Sequence, residues 1–323
     1  GRLEALNARL LRLFLRLTFK ALIRPSLGVK FQRRWSTLLA ATLPASPQAI
    51  RYRFQEQIHQ HRLQGEILAP KTTGAGGAIL YLHGGAYCIG SPYTCRSLTS
   101  HLAASAAMDV WVPDYRLAPE HPYPAALDDA YAAYQLLLSK GYRPQDIVVA
   151  GDSAGGGLAL ALALKLKQAR QPQPAGLMLL SPLVDNRLSG DTLPSKAATD
   201  PMLRQSWLRS CIQHYEGRFP GSSLLDQDLA DLAPMLIQVG DEEILLADAT
   251  RLLQQVRQAG GQVNLEIYHQ RWHDFQLATA LLRSAHTAIR ALADFARTRV
   301  GSIGAYSKPR SAMDTTSPSP TMK

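Results

Sequence analysis

Long apolar runs are missing from this chain, and so are paired cysteines. The three cysteines, Cys88, Cys95 and Cys211, are odd in number and show no C-x-x-C spacing. That excludes a disulfide framework and a sulfur-ligated metal cluster, and makes a reducing, cytoplasmic setting the expectation. No stretch approaches the roughly 20 apolar residues that cross a bilayer, and no uninterrupted apolar core of a signal peptide is present. Acidic residues are scarce at one end only. Residues 1–62 hold twelve Lys/Arg against Glu4 and Glu56, which is the whole of the formal +10, and the rest of the chain carries 23 charges of each sign. The high isoelectric point therefore belongs to one segment. With no interleaved aromatic and basic motif either, nucleic acid is excluded as a partner. Internal repeats are absent too.

What is present is enough apolar material for a large core: 46% hydrophobic residues in 323, with only 19% charged. This fits one large α/β domain and not a disordered polymer. Within residues 2–24, Arg9, Arg12, Arg16 and Lys20 recur at three- and four-residue spacing, with Leu, Phe and Ile between them. The pattern predicts a two-faced helix ended at Arg24-Pro25. Two placements follow from it. In one, the apolar face packs on the body and the arginines face solvent. In the other, the helix lies on an anionic membrane surface as a peripheral contact.

From Gly65 onward apolar runs alternate with helical patterns. Strands are expected at 66–69, 78–83, 110–115, 146–150, 176–182, 234–240 and 263–268, and helices at 125–139, 157–170, 247–258 and 278–297. Buried Val/Ile/Leu-rich strands separated by helices predict an α/β fold with a mostly parallel central sheet flanked by helices. Residues 193–232 break the alternation and read as an insertion. The Ser/Thr/Pro/Gly-rich tail, 301–323, is expected to be disordered.

The chemistry sits at Gly151-Asp152-Ser153-Ala154-Gly155-Gly156, between an apolar run and an Ala/Leu-rich helical segment. A G-x-S-x-G between strand and helix is the context of a nucleophile elbow, although the bare pattern is common by chance. Leu82-His83-Gly84-Gly85-Ala86 follows an earlier strand and offers backbone N–H groups of Gly84 and Gly85 to an oxyanion, with Ala154 N–H as a third donor. A base is expected after the last strand, where His269 and His273 stand; His273, in the loop, is preferred. For the acid that orients it, Asp241, Glu242, Glu243 and Asp248 all follow the 234–240 strand, and physical reasoning alone does not choose among them.

Taken together these elements resemble the bacterial hormone-sensitive-lipase-like esterases of the α/β-hydrolase superfamily. His83-Gly84-Gly85-Ala86 is similar to that family's HGGG element, with Ala in the third glycine place. Gly151–Gly156 is similar to its GDSAGG elbow, and the block from Pro113 to Leu127 to another of its long motifs. The likeness covers about residues 45–298. It implies a Ser-His-acid carboxylesterase for short- to medium-chain acyl esters, needing no metal or organic cofactor, monomeric or homodimeric. It places the acid at Glu243, thirty residues before the H-x-F of His273-Asp274-Phe275, with Asp248 and then Asp241 next in order. Glutamate there departs from the family's usual aspartate. The resemblance also implies a helical cap built from residues 1–45 and an insertion at about 183–225, over a catalytic domain of 46–300. The basic N-terminal helix thereby gains a third role, as a lid. A membrane-associated lipase for longer chains and a non-catalytic binder on the same scaffold are the alternative functions. The binder would be expected to lack the histidine.

Overall fold

In the computed structural model, which describes residues 2–72, 74 and 76–301, eight strands form one sheet in the order β1-β2-β4-β3-β5-β6-β7-β8. They are β1 Ala49–Ile58, β2 His61–Pro70, β3 Ala78–Leu82, β4 Asp109–Pro113, β5 Ile147–Asp152, β6 Gly176–Leu180, β7 Met235–Gly240 and β8 Val263–Tyr268. From β4 to β8 every pairing is parallel; β2 alone runs against its neighbours. The α/β expectation, a mostly parallel sheet flanked by helices, is borne out.

The reason is visible in the burial. Every residue of β3, β4, β5, β6 and β7 is buried, as strands covered on both faces must be. The covering helices are α3 Arg96–Ala106, α4 Ala125–Ser139, α5 Ala154–Gln168, α8 Leu246–Gln258 and α9 Arg283–Gly301. Two apolar layers result. One side packs around Ile79, Tyr81, Val110 and Val148 with α3 and α9, the other around Leu80, Val149 and Leu177 with α4 and α5.

The remaining helices form a layer over one end of the sheet. They are α1 Arg2–Leu15, continued by a π-helical turn at Arg16–Lys20, α2 Val29–Ala40, α6 Thr192–Ser195 and α7 Gln205–Glu216. Trp207 Nε1 of α7 donates to Gln32 Oε1 of α2 at 2.8 Å, and Phe19 meets the Trp207 ring edge-on at 6.4 Å. The N-terminal segment and residues 183–225 thus meet each other through Trp207.

Several elements differ from expectation. β1 was not expected, although Ile50, Tyr52 and Phe54 alternate with Arg51, Arg53 and Gln55, and β2 begins five residues before 66. The outer hairpin is only partly buried, so its polar face diluted the apolar signal. α5 starts at Ala154, because its three glycines pack against neighbouring backbone instead of breaking the helix. The last helix starts at Arg283, after a short turn of helix at Phe275–Ala278. Gly301 ends α9, and the rest of the expected tail, 302–323, lies outside the described residues.

The N-terminal helix departs furthest. Its basic side chains do not face solvent as a group. Arg12 donates to Thr199 O and Gln270 O and pairs with Glu242, Arg16 donates to Ala198 O at 2.9 Å, and Lys20 to Ala197 O at 2.8 Å. Leu3, Leu6, Leu10, Leu13 and Leu17 are exposed instead. The placement with one apolar face on the body and the arginines in solvent holds in part: Leu11, Leu15 and Phe19 pack inward, whereas Arg12, Arg16 and Lys20 are held by carbonyl oxygens. The segment has apolar residues on two faces, and the carbonyl groups of 197–200 and Gln270 capture the long cations between them.

Candidate active site

β5, an interior strand, delivers Ser153 at its C-terminal end, and α5 starts immediately after it. The turn between them is so tight that Ser153 adopts φ 53°, ψ −120°, a conformation few side-chain-bearing residues tolerate. Two glycines permit it. A Cβ on Gly155 would stand 1.9 Å from Leu82 O, and one on Gly151 2.3 Å from Gly155 O. The elbow glycines are therefore demanded by backbone contact between β3, β5 and α5.

His273 comes from the loop after β8. Its Nε2 lies 2.9 Å from Ser153 Oγ, and its Nδ1 lies 3.2 Å from Glu243 Oε1. The other Glu243 oxygen accepts from Ser181 Oγ at 2.8 Å and from Gly240 N–H at 2.9 Å, which locks the carboxylate past the tip of β7. All three side chains are buried. The three other candidate acids are engaged elsewhere. Asp248 accepts the N–H groups of Val184 and Asp185, and burial pushes its carboxyl up to about 6. Asp241 holds the exposed His269 ring at 2.7 Å and the Gln270 N–H. Glu242 pairs with Arg12. Of the four carboxylates left open by the sequence, Glu243 alone meets His273, and His269 is remote from the serine's partners.

Gly84 and Gly85, after the end of β3, line the cavity with Ser153, and Ala154 follows the serine as the first residue of α5. Tyr115 hydroxyl fixes this loop by donating to His83 O at 2.6 Å, and the His83 ring stacks on Tyr115 at 4.2 Å. The neighbouring block is a structural brace: Arg116 forks onto Asp129, and Glu120 pairs with Arg33 of α2.

Two carboxyl groups at the site were not anticipated. Asp274 Oδ2 lies 3.0 Å from His273 Nε2, the nitrogen that also faces Ser153. Asp152, beside the serine, takes the Tyr81 hydroxyl at 2.7 Å. Burial, then the nearby Asp274 charge, pushes Asp152 up to about 7, and burial raises Asp274 as well. Burial on its own would lower His273; the Asp274 and Glu243 carboxylates outweigh it and raise the imidazole well above its ordinary value. The signal was available, since these aspartates directly adjoin the candidate serine and histidine in the chain.

The cavity above them has a volume of about 340 Å³ and is walled mainly by apolar side chains. Leu11, Phe14, Leu15 and Phe19 roof it, with Trp207 and Trp272 at the sides. Such a site can take an acyl chain and present its carbonyl carbon to Ser153. Arg12 lies over the Trp272 ring at 5.3 Å, coupling the roof to the wall.

The chain is similar to known proteins over most of its length. A family model described as the alpha/beta hydrolase fold matches residues 79–277. An esterase of Acinetobacter venetianus is 41% identical over 68% of this chain and 74% of its own length. An acetyl-hydrolase of Streptomyces hygroscopicus is 39% identical over 70% of this chain and 77% of its own. The crystal structure of an esterase from the bacterial hormone-sensitive lipase family superposes with a TM-score of 0.85 at 32% identity, covering 91% of this chain and 98% of that one.

Proposed function

This chain is a carboxylesterase belonging to the bacterial hormone-sensitive-lipase-like family of the α/β-hydrolase fold, and we propose that it cleaves short- to medium-chain acyl esters through an acyl-serine on Ser153. The observation that carries this reading is the line Ser153 Oγ, His273, Glu243, with 2.9 Å and 3.2 Å contacts, at the floor of an apolar cavity.

His273 Nε2 takes the hydroxyl proton as Ser153 Oγ attacks the ester carbonyl carbon. Glu243 accepts the Nδ1–H, holding the ring in the tautomer whose Nε2 lone pair faces the serine, and stabilises the imidazolium that forms. Gly84, Gly85 and Ala154 supply N–H groups to the tetrahedral oxyanion. Collapse of that intermediate breaks the bond to the alkoxy oxygen, which leaves as an alcohol with the proton from His273. Water then repeats the sequence: His273 removes its proton, the hydroxyl adds to the acyl carbon, and the carboxylic acid departs as Ser153 regains its hydrogen.

Asp274 acts on the same nitrogen. As a carboxylate beside Nε2 it stabilises the imidazolium and so holds the base protonated to higher pH in the free enzyme. Proximity to Asp152, with its raised proton affinity, tempers that charge.

The acyl preference rests on the cavity, whose volume lies at the small end for ligand sites, and on the acetyl-hydrolase relative. A series of p-nitrophenyl esters from acetyl to palmitoyl tests it, with Ser153→Ala as control. Activity should peak at short or medium chains, and the variant should lose about 10⁴-fold or more in kcat. A maximum at palmitoyl would favour the long-chain lipase reading, and turnover that survives the substitution would remove Ser153 from the mechanism.

A further inference from the structure

The roof helix has a second apolar face, and it points away from the protein. Leu3, Leu6, Leu10, Leu13 and Leu17 follow one another at spacings of three and four and are all more than half exposed, Leu3 at 72% and Leu17 at 65%. On α2, Phe31 and Leu38 are exposed as well, and Trp35 Nε1 ties that helix to the π-helical turn by donating to Thr18 O at 3.0 Å. Scattered surface leucines are ordinary, whereas an unbroken row on one helix marks a surface that something covers.

Three features identify the occupant. The row borders the mouth of the reactive cavity: Phe14 and Leu281 both line that cavity and are exposed, and Asn7 Nδ2 bonds to Leu281 O at 3.3 Å. Exposed basic side chains belong to the same segment: Arg9 on α1, Arg24 between the helices, and Lys30 and Arg34 on α2. The segment that carries the row also holds all of the chain's net positive charge. A second copy docked leucine against leucine would bring an equal positive charge against the first. An anionic lipid surface would instead satisfy the leucines and the cations together.

We propose that the outer face of α1, with the exposed side chains of α2, seats on anionic lipid with the cavity mouth between Phe14 and Leu281 at the lipid–water boundary. Arg12, Arg16 and Lys20 fix the helix to residues 197–200 and Gln270, so the leucines are already presented and need no refolding to meet the lipid. The surface is independent of which ester Ser153 cleaves.

Co-sedimentation of the full chain with phosphatidylcholine–phosphatidylglycerol vesicles, compared with pure phosphatidylcholine, tests this. Binding should favour the anionic vesicles and weaken in high salt. The combined variant Leu6→Gln, Leu10→Gln, Leu13→Gln, Leu17→Gln should bind them less by on the order of tenfold or more, while hydrolysing p-nitrophenyl acetate in solution as before. That activity also shows that the variant has folded. Arg9→Gln with Lys30→Gln and Arg34→Gln should abolish the preference for anionic over neutral vesicles. The proposal is overturned if the unaltered protein stays in solution with both vesicles, or if the leucine variant binds as well as the parent. It is equally overturned if ultracentrifugation finds a dimer that the leucine substitutions dissociate and no lipid binding, since the face then belongs to a second copy.

Discussion

The floor and the roof of the cavity are held by different means. On the floor, Ser153 is clamped by backbone contacts that leave no room for a Cβ at Gly151 or Gly155, and Glu243 has partners on both oxygens. The roof is held by cations of α1 reaching carbonyl oxygens of a distant loop, and its outer leucines touch solvent. A reaction needs atoms fixed to within a fraction of an ångström, and only close-packed backbone provides that. Admission of substrate needs an element joined by fewer, more exposed contacts.

The sharpest way to test the floor is to remove Glu243. Glu243→Ala should lower kcat for p-nitrophenyl butyrate by on the order of 10³ to 10⁴ with little change in KM. Asp248→Ala, at a carboxylate past the same strand, should leave kcat within a few-fold. Its cost should appear in urea unfolding, at about 2 to 3 kcal/mol for the buried N–H groups of Val184 and Asp185 left without a partner. Equal kcat losses in the two variants would end the distinction between a reacting and a bracing carboxylate.

The roof should respond differently. Arg12→Met with Arg16→Met removes charged bonds that are partly exposed, so the effect is moderate. KM for the longest ester accepted should rise roughly three- to tenfold, while turnover of p-nitrophenyl acetate stays near that of the parent. A matching loss on acetate would mean that the roof positions the reacting groups and is not separable from the floor.

The smallest effect is on pH dependence. In the proposed mechanism His273 acts as the neutral base, so its raised pKa predicts that kcat/KM falls as pH drops through that value. Asp274→Asn removes an anion beside Nε2, so the acid limb of the profile should move to lower pH, and a profile that stays in place would show that Asp274 is neutral in the free enzyme.

Much of the floor was legible in the chain. The elbow, the His83-Gly84-Gly85 loop and the histidine before Phe275 each carry a local pattern, because strand–turn–helix geometry restricts residues within a few positions. Glu243 was reached through its spacing from His273 and the family likeness, since four carboxylates near one strand end are chemically alike until their neighbours are known. Asp152 and Asp274 were overlooked as a pair. They stand 122 positions apart in the chain, and only the sheet brings β5 and the loop after β8 together.

What the sequence determined by itself was the set of parts: alternating buried strands and helices, a serine on a tight turn, a basic two-faced helix. Periodicity and turn chemistry are local, so they survive being read without a structure. The tertiary structure decided which face of α1 turns inward, and it supplied the contacts by which Glu243, out of four chemically similar carboxylates, meets the histidine. Both outcomes depend on partners far away in the chain, the carbonyls of 197–200 in one case and Ser181 and the backbone of Gly240 in the other. A side chain's pattern states what it can bind, and the fold states what lies within its reach.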